Sequence, residues 1–408
     1  MRRAVIVDTQ RTGITRAFHG ELRETRPDDM AAHCIDALLA RHPGLPREFI
    51  DDCIVGCAFP EGPQGLNLGK GVAVASSLGE AVAGCTISRY CASGLDAVAA
   101  AASRIVSGHA DALLAVGVES VSMTMRGLNT EGLFNPRVAQ KSPGSYIKMR
   151  DDLTVPFWKR AFRSMGETAE RLARVHDVSR REQDAYACIS QGRTAKAQAA
   201  GRFDDELTAL DPRRYLAGGS LHLAPPCTVG SDLCNRPNTT AEVLAGLEPL
   251  FGIGGSVTAG NAAAAADGAA AALVVSEEFA AAHRLARLGY FRGYAVAACP
   301  PDLMGLGPTL AIPKLLAVHG LSDREIDAFE INEAFAAQVV HCLRALRLDG
   351  ERVNVDGGAI SVGHPFGMTG VRLVGHLLRG LRGSGGRLGV VSLCVGGGIG
   401  VAALLEAA

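Results

Sequence analysis

Tryptophan occurs once in this 408-residue chain, and Trp, Tyr and Phe together supply only 5% of it. Large rings therefore cannot fill the interior. Ala, Val and Leu must do so, which favours helices and sheets packed at close range. A dominant charge is missing too: 41 Lys and Arg face 42 Asp and Glu, a formal net charge of −1. That balance leaves no basic field for nucleic acid and no polybasic patch for a membrane. No apolar run of transmembrane length escapes interruption by glycine or charge. The arginines of "MRRAVIVDTQRTG" precede an apolar run too short for a signal peptide, and the stretch reads as a strand and turn. At the carboxyl end, "LLEAA" is neither a retention nor a peroxisomal address. Eleven cysteines at irregular spacing point to reduced thiols, so a cytoplasmic protein is expected. Cys53 and Cys57 are the closest pair, with no second pair at zinc-finger spacing, and no metal site is expected.

What is present describes a globular protein with extensive burial: 48% hydrophobic residues against 20% charged. The length exceeds one simple core and predicts two or three domains, or a duplicated one. Forty-nine glycines cluster in short motifs, a sign of tight turns and close backbone approaches. "RAVIVD" (3–8) predicts a first strand, residues 28–41 have helical spacing, and "DDCIVGCAF" predicts a second strand. "SRYCASGLDAVAAAASRIVSG" reads as turn, helix and glycine stop. "DALLAVGVESVSM" reads as a central strand covered on both faces. Residues 124 to about 265 change character and read as an insertion with two helices, near 165–177 and 179–200. Apolar runs resume at "AAAALVVS", "LGYFRGYAVA" and "IDAFEI". Gly94 and Gly370 each open a helix that leads, about twenty residues later, into a buried strand, which suggests duplication. Alternating strands and helices make this an α/β protein.

Four stretches place reactive side chains at such junctions, where ligand sites of α/β sheets gather. Cys91 stands at a helix amino terminus, where free N–H groups and the helix dipole favour thiolate. His364 lies between Gly363 and Pro365 in "GGAISVGHPFGMTG", a rigid turn suited to aiming a ring. Cys394 ends a buried strand in "LCVGGGIG", whose glycines admit main-chain amides close to a substrate. A dinucleotide fingerprint fails there, since no helix and acidic ribose ligand follow, and no Walker loop occurs. Asn332 ends a strand in "FEINEAFAAQ" and could cap a helix starting at Glu333. Two cysteines, a histidine and an asparagine so placed suggest acyl transfer through a thioester.

At these motifs the sequence resembles the thiolase family, the acyl-CoA C-acyltransferases, the degradative 3-ketoacyl-CoA type above all. The likeness runs from "TQRTGITRAFHGELRETRPDDM" to "CVGGGIG", through "MGETAE", "SRREQDAYACISQ", "GSVTAGNAAAAADGAAA" and "MGLGPTLAIPKLL" in order. It implies Cys91 as nucleophile, His364 helping to form its thiolate, and His364 with an Asn332-held water stabilising the thioester enolate. Cys394 would move the α-proton of acetyl-CoA. Amides of Cys91 and Gly396 would hold the second oxyanion, and Glu333 would orient its neighbours. The resemblance puts Met165, Arg236, Ala259, Ala263 and Met304 along coenzyme A, a substrate, with no further cofactor. Ser88, Ser164 and Ala263 depart from common family residues and bear on acyl-chain preference, and Leu233 replaces an acidic residue common in the stretch that carries Arg236, the implied partner of the nucleotide end of coenzyme A.

The implied fold has five α-β-α-β-α layers from two βαβαβαββ halves. Residues 1–123 with about 266–287 would form one half, 288–408 the other, and 124–265 a loop domain over coenzyme A. A homodimer or homotetramer is implied. Other readings stay open on the residues themselves: an acyltransferase with a specialised acceptor, or an inactive acyl- or lipid-binding relative. A ketoacyl-ACP synthase would share the capping cysteine, but Cys394 stands against it.

Overall fold

The structure is a computed structural model and describes residues 2–125, 163–215, 228–252 and 254–408. Ten strands appear among the described residues: β1 (Ala4–Arg11), β2 (Thr15–Arg16), β3 (Asp52–Gly56), β4 (Ala83–Ile87), β5 (Ala112–Ser120), β6 (Ala266–Ser276), β7 (Gly289–Ala298), β8 (Ala328–Ile331), β9 (Leu388–Val395) and β10 (Ile399–Ala407). Their hydrogen-bonded order is β4-β3-β5-β6-β1-β7-β10-β9-β8, with β2 beside β6. β3 runs parallel to β4 and β5, and β8 parallel to β9; the other pairings are antiparallel. The two halves of the path meet where Ala4, Val5 and Ile6 of β1 pair with β7.

The first half reads β1, helix Pro27–Ala40, β3, helix Leu68–Ala75, β4, helix Ser93–Val106, β5, β6, the expected βαβαβαββ order. The second reads β7, helix Gly307–His319, β8, helix Ala336–Leu346, helix Phe366–Ser384, β9, β10. Here the expected third strand shrinks to one parallel bridge, Val353 to Phe329. Asn354 follows at once with a left-handed φ of 49°, which ends extended pairing. Neither β4 nor β10 was anticipated from the sequence.

Alternation along the strands sets the layers. Leu113 and Ala115 of β5 share one core with Val391, Leu393 and Val395 of β9 and with both helices Ser93–Val106 and Phe366–Ser384. Their neighbours Ala112, Leu114 and Val116 face the opposite way, onto Met30, Ile35 and Leu38 of the first helix. Val390, Ala402 and Leu404 face Ile312 and Leu315. Outer helices, strands, central helices, strands and outer helices are thus five layers, and burying each Leu or Val contributes roughly 1.5–3 kcal/mol.

The central helices touch backbone to backbone. A Cβ on Gly94 would lie 2.4 Å from the Gly367 carbonyl oxygen, and one on Gly370 would lie 2.1 Å from the Leu95 nitrogen. The two glycines singled out as helix openers are thus the crossing point.

Between β5 and β6 lie helices Met165–Val175 and Arg180–Ala199, each opened by a capping box, Ser164 with Glu167 and Ser179 with Glu182. Buried Arg11 of β1 ties this segment down, pairing with Glu206 at 2.8 Å and Asp232 at 2.7 Å. Of the anticipated loop domain, residues 126–162, 216–227 and 253 lie outside the described residues.

Candidate active site

Cys91 occupies a single 3-10 turn, Tyr90–Ala92, ahead of helix Ser93–Val106. Tyr90 enters it with a left-handed φ of 44°. Ser93 locks the turn: its hydroxyl donates to the Tyr90 carbonyl at 2.7 Å and accepts the Arg89 amide at 2.9 Å. The amides of Gly396 and of Cys91 itself face the half-buried Cys91 sulfur. Burial pushes this thiol up to about 12, the Glu119 charge adds to the rise, and the two amides oppose it. Desolvation thus outweighs the helix-end amides that favour thiolate, which leaves the Cys91 proton for a base to remove.

His364 lies two residues ahead of helix Phe366–Ser384, as Cys91 lies two ahead of its own helix. Its ring is buried, edge-on to Phe366 at 5.1 Å between centroids. The Thr369 hydroxyl donates to the Pro365 carbonyl at 2.8 Å, so its oxygen accepts from His364 Nδ1 at 2.7 Å. That network assigns the proton to Nδ1 and leaves Nε2 an acceptor, met by Asn332 Nδ2 at 3.2 Å. Burial, helped by the Arg372 charge, pushes His364 down to about 3, so the ring is neutral. A neutral imidazole with a free-electron-pair nitrogen is a base.

Cys394 is fully buried near the end of β9, among Met304 and Ala334 with Met165 and Phe335 against them. Burial raises its thiol well above the ordinary range, and charge on Cys91 raises it further. The turn after it, Gly396–Gly398, carries positive φ at Gly397 and Gly398, so glycine is required there.

Asn332 follows β8 directly, its amide bonded to the Ser392 carbonyl of β9 at 2.8 Å. Its Oδ1 is buried and has no hydrogen-bond partner among the described residues. The helix expected to begin at Glu333 begins at Ala336 instead. Phe335 is extended and bridges Ala262, so Asn332 caps nothing and its side chain faces His364.

Glu333 faces away from the thiols. It accepts from Tyr186 and Ser190 at 2.7 Å each, from the Ile360 amide at 3.1 Å and from Asn354 at 3.2 Å. Burial raises its carboxyl despite these donors. It joins helix Arg180–Ala199 to the segment leading into His364.

Of the residues expected along coenzyme A, Met165 and Met304 stand beside Cys394. Ala263 donates its amide to the Ala334 carbonyl at 3.0 Å. Ala259 and Arg236 are exposed, with no described contact to the thiols. Ser88 Oγ donates to the Ala58 carbonyl at 3.1 Å, and Leu233 is exposed. Sequence reasoning missed Thr369 and Glu119. The carboxylate inside the apolar run "ALLAVGVES" was a readable signal; Thr369, one turn beyond Pro365, gave none.

Residues 4–278 match the family described as thiolase, N-terminal domain, and residues 285–407 match thiolase, C-terminal domain. The chain is 40% identical over 408 residues to a 3-ketoacyl-CoA thiolase of Bacillus subtilis, covering 100% of both. The dimeric peroxisomal thiolase of Saccharomyces cerevisiae superposes with a TM-score of 0.88 at 34% identity, over 100% of this chain and 97% of that one. Human mitochondrial 3-ketoacyl-CoA thiolase in complex with CoA gives 0.85 at 32%, over 100% and 98%. Matched in both halves and along its whole length, the chain belongs to the thiolase family.

Proposed function

We propose that this enzyme is an acyl-CoA C-acyltransferase that cleaves 3-ketoacyl-CoA with coenzyme A, giving acetyl-CoA and a shortened acyl-CoA, or runs the reverse condensation. The observation that carries the reading is the convergence on Cys91 of two main-chain amides and the buried Cys394 thiol, with His364 held two residues ahead of the helix that packs on the Cys91 turn.

In the cleavage direction, the Cys91 proton passes to His364 Nε2 as sulfur attacks the 3-keto carbon. The C2–C3 bond breaks, leaving an acyl group on Cys91 and an acetyl-CoA enolate. A water donating to Asn332 Oδ1, together with His364, holds the enolate oxygen until the Cys394 thiol protonates its carbon. Coenzyme A then gives its thiol proton to Cys394 and attacks the acyl carbonyl, whose oxyanion rests on the Cys91 and Gly396 amides. Each such donor supplies roughly 10²–10³ in rate. Collapse expels Cys91, which recovers its proton from His364. Glu333 holds the frame behind Asn332.

Arg236, exposed on the turn after Cys234, serves the nucleotide end of coenzyme A; Ala259 and Ala263 flank the pantetheine; Met165 and Met304 border the acyl group. Residues 124–265 act as the domain over coenzyme A, between halves 1–123 with 266–287 and 288–408. A homodimer is proposed on the likeness to the dimeric yeast thiolase. A cytoplasmic setting is proposed on the ten described free thiols and the bacterial relative.

The test is coenzyme-A-dependent loss of acetoacetyl-CoA and of a longer 3-ketoacyl-CoA. Cys91→Ala should form no acyl-enzyme, whereas Cys394→Ala should still acylate yet fail to exchange the α-proton of acetyl-CoA. Normal exchange by Cys394→Ala would overturn its assigned role. Wild-type cleavage of neither substrate would overturn the function.

A further inference from the structure

Glu119 is the one charged residue of β5, and it is completely buried. The mechanism above gives it no part. Its Oε2 accepts the Ala58 and Gly367 amides, both at 2.9 Å. Its Oε1 accepts Gln64 Nε2 at 2.7 Å and the Phe59 amide at 3.4 Å, and the Cys57 thiol lies at 3.9 Å. All are donors, an arrangement that only an ionised carboxylate satisfies fully.

These donors come from the two walls of the reaction centre. Cys57–Phe59 lies against the approach to Cys91: the Ile87 carbonyl accepts the Cys57 amide at 3.0 Å, Ser88 binds the Ala58 carbonyl, and Phe59 meets the Tyr90 ring at 5.9 Å between centroids. Gly367 belongs to the first turn of the helix that follows His364. The packing is tight enough that a Cβ on Gly367 would lie 2.3 Å from the Val118 carbonyl oxygen. Glu119 is therefore the side chain that spans the first half's nucleophile loop and the second half's histidine turn.

We infer that Glu119 is a positioning residue for the acyl transfer proposed above: its carboxylate fixes His364 relative to Cys91 and, once ionised, sets a negative charge beside the nucleophile. That charge keeps Cys91 a thiol until His364 takes the proton, which ties thiolate formation to substrate attack. Burial pushes Glu119 itself up to about 7 against the pull of its donors, so at the alkaline pH where Cys91 ionises the carboxylate is charged. The other titratable groups around it are few. Cys57 and Cys91 face it, Glu61 bears on Cys57, and Asp267 of neighbouring β6 is engaged by the Ser122 amide at 2.9 Å. The helix starting at Phe366 contributes its amide.

Two variants separate reach from charge. Glu119→Gln keeps the length and removes the charge; Glu119→Asp keeps the charge and shortens the reach. In both, kcat for 3-ketoacyl-CoA cleavage should fall by about 10- to 100-fold, with KM for coenzyme A changed by no more than about twofold. Alkylation of Cys91 by iodoacetamide, followed on its own peptide near pH 8, should speed up about tenfold in Glu119→Gln and stay near wild type in Glu119→Asp. Wild-type kcat in either folded variant would overturn the inference, as would unchanged alkylation in folded Glu119→Gln. If Glu119→Gln does not fold, the kcat of Glu119→Asp decides. Should wild type cleave no 3-ketoacyl-CoA, the function proposed above fails, while the alkylation rates still read the charge on Cys91.

Discussion

Replacing Thr369 with valine tests the acid–base logic without touching a reacting group. Valine keeps the volume and deletes two hydrogen bonds, one from His364 Nδ1 at 2.7 Å and one to the Pro365 carbonyl at 2.8 Å. His364 is 3% exposed, so no solvent replaces the lost acceptor. Leaving the buried Nδ1–H unpaired costs about 1–3 kcal/mol. The alternative tautomer escapes that cost by carrying its proton on Nε2, with the Asn332 carboxamide turned over so that its unpartnered Oδ1 replaces Nδ2 there as acceptor. In that form His364 cannot take the Cys91 proton. Acylation should therefore slow by about 5- to 150-fold, the same energy expressed in rate. The assay is single-turnover acyl-enzyme formation from a 3-ketoacyl-CoA. Because burial holds His364 down to about 3, the ring stays neutral across the working range, and the loss should be the same at about pH 6 and pH 8. An acylation rate within about twofold of wild type, or a loss confined to low pH, would refute the tautomer argument.

Helix Phe366–Ser384 supplies a paired test of close packing. Gly370→Ala drives a Cβ to 2.1 Å from the Leu95 nitrogen, whereas the space at Gly380 is open to 4 Å. The first should destabilise by about 3 kcal/mol in urea unfolding and the second should stabilise by about 0.5–1 kcal/mol; equal effects would remove the crossing-point argument. His376 supplies a pH test. Burial lowers its pKa, but Glu206 at 3.2 Å and Asp356 at 3.4 Å outweigh that and push it up to about 10. A raised native pKa means the stabilisation is full below the unfolded value of about 6.5 and is lost as pH rises through about 10. His376→Asn should cost about 3 kcal/mol near pH 6, with the gap to wild type closing toward pH 10. A gap constant with pH would show His376 to be neutral.

The sequence alone identified the α/β class and most strands, because β5, β6 and β9 are covered on both faces and their apolar runs need no partner to be recognised. It also supplied the candidates Cys91, His364, Asn332 and Cys394, since each sits in a short motif whose chemistry is local. Tertiary structure decided everything that depends on a distant neighbour. β4 is short and lies half-exposed at the edge of the sheet, and so lacks the apolar run of a central strand. Glu333 looked like a helix opener beside Asn332, but extended pairing of Phe335 with Ala262 delayed the helix and turned the carboxylate toward Tyr186 and Ser190. The thiol state of Cys91 depends on distant neighbours in the same way. A helix end favours thiolate locally, whereas desolvation and the Glu119 charge are assembled only when strands, loops and helices from both halves close around the sulfur. Side-chain identity is written in order along the chain, but electrostatic environment is a property of what folding brings within a few ångströms.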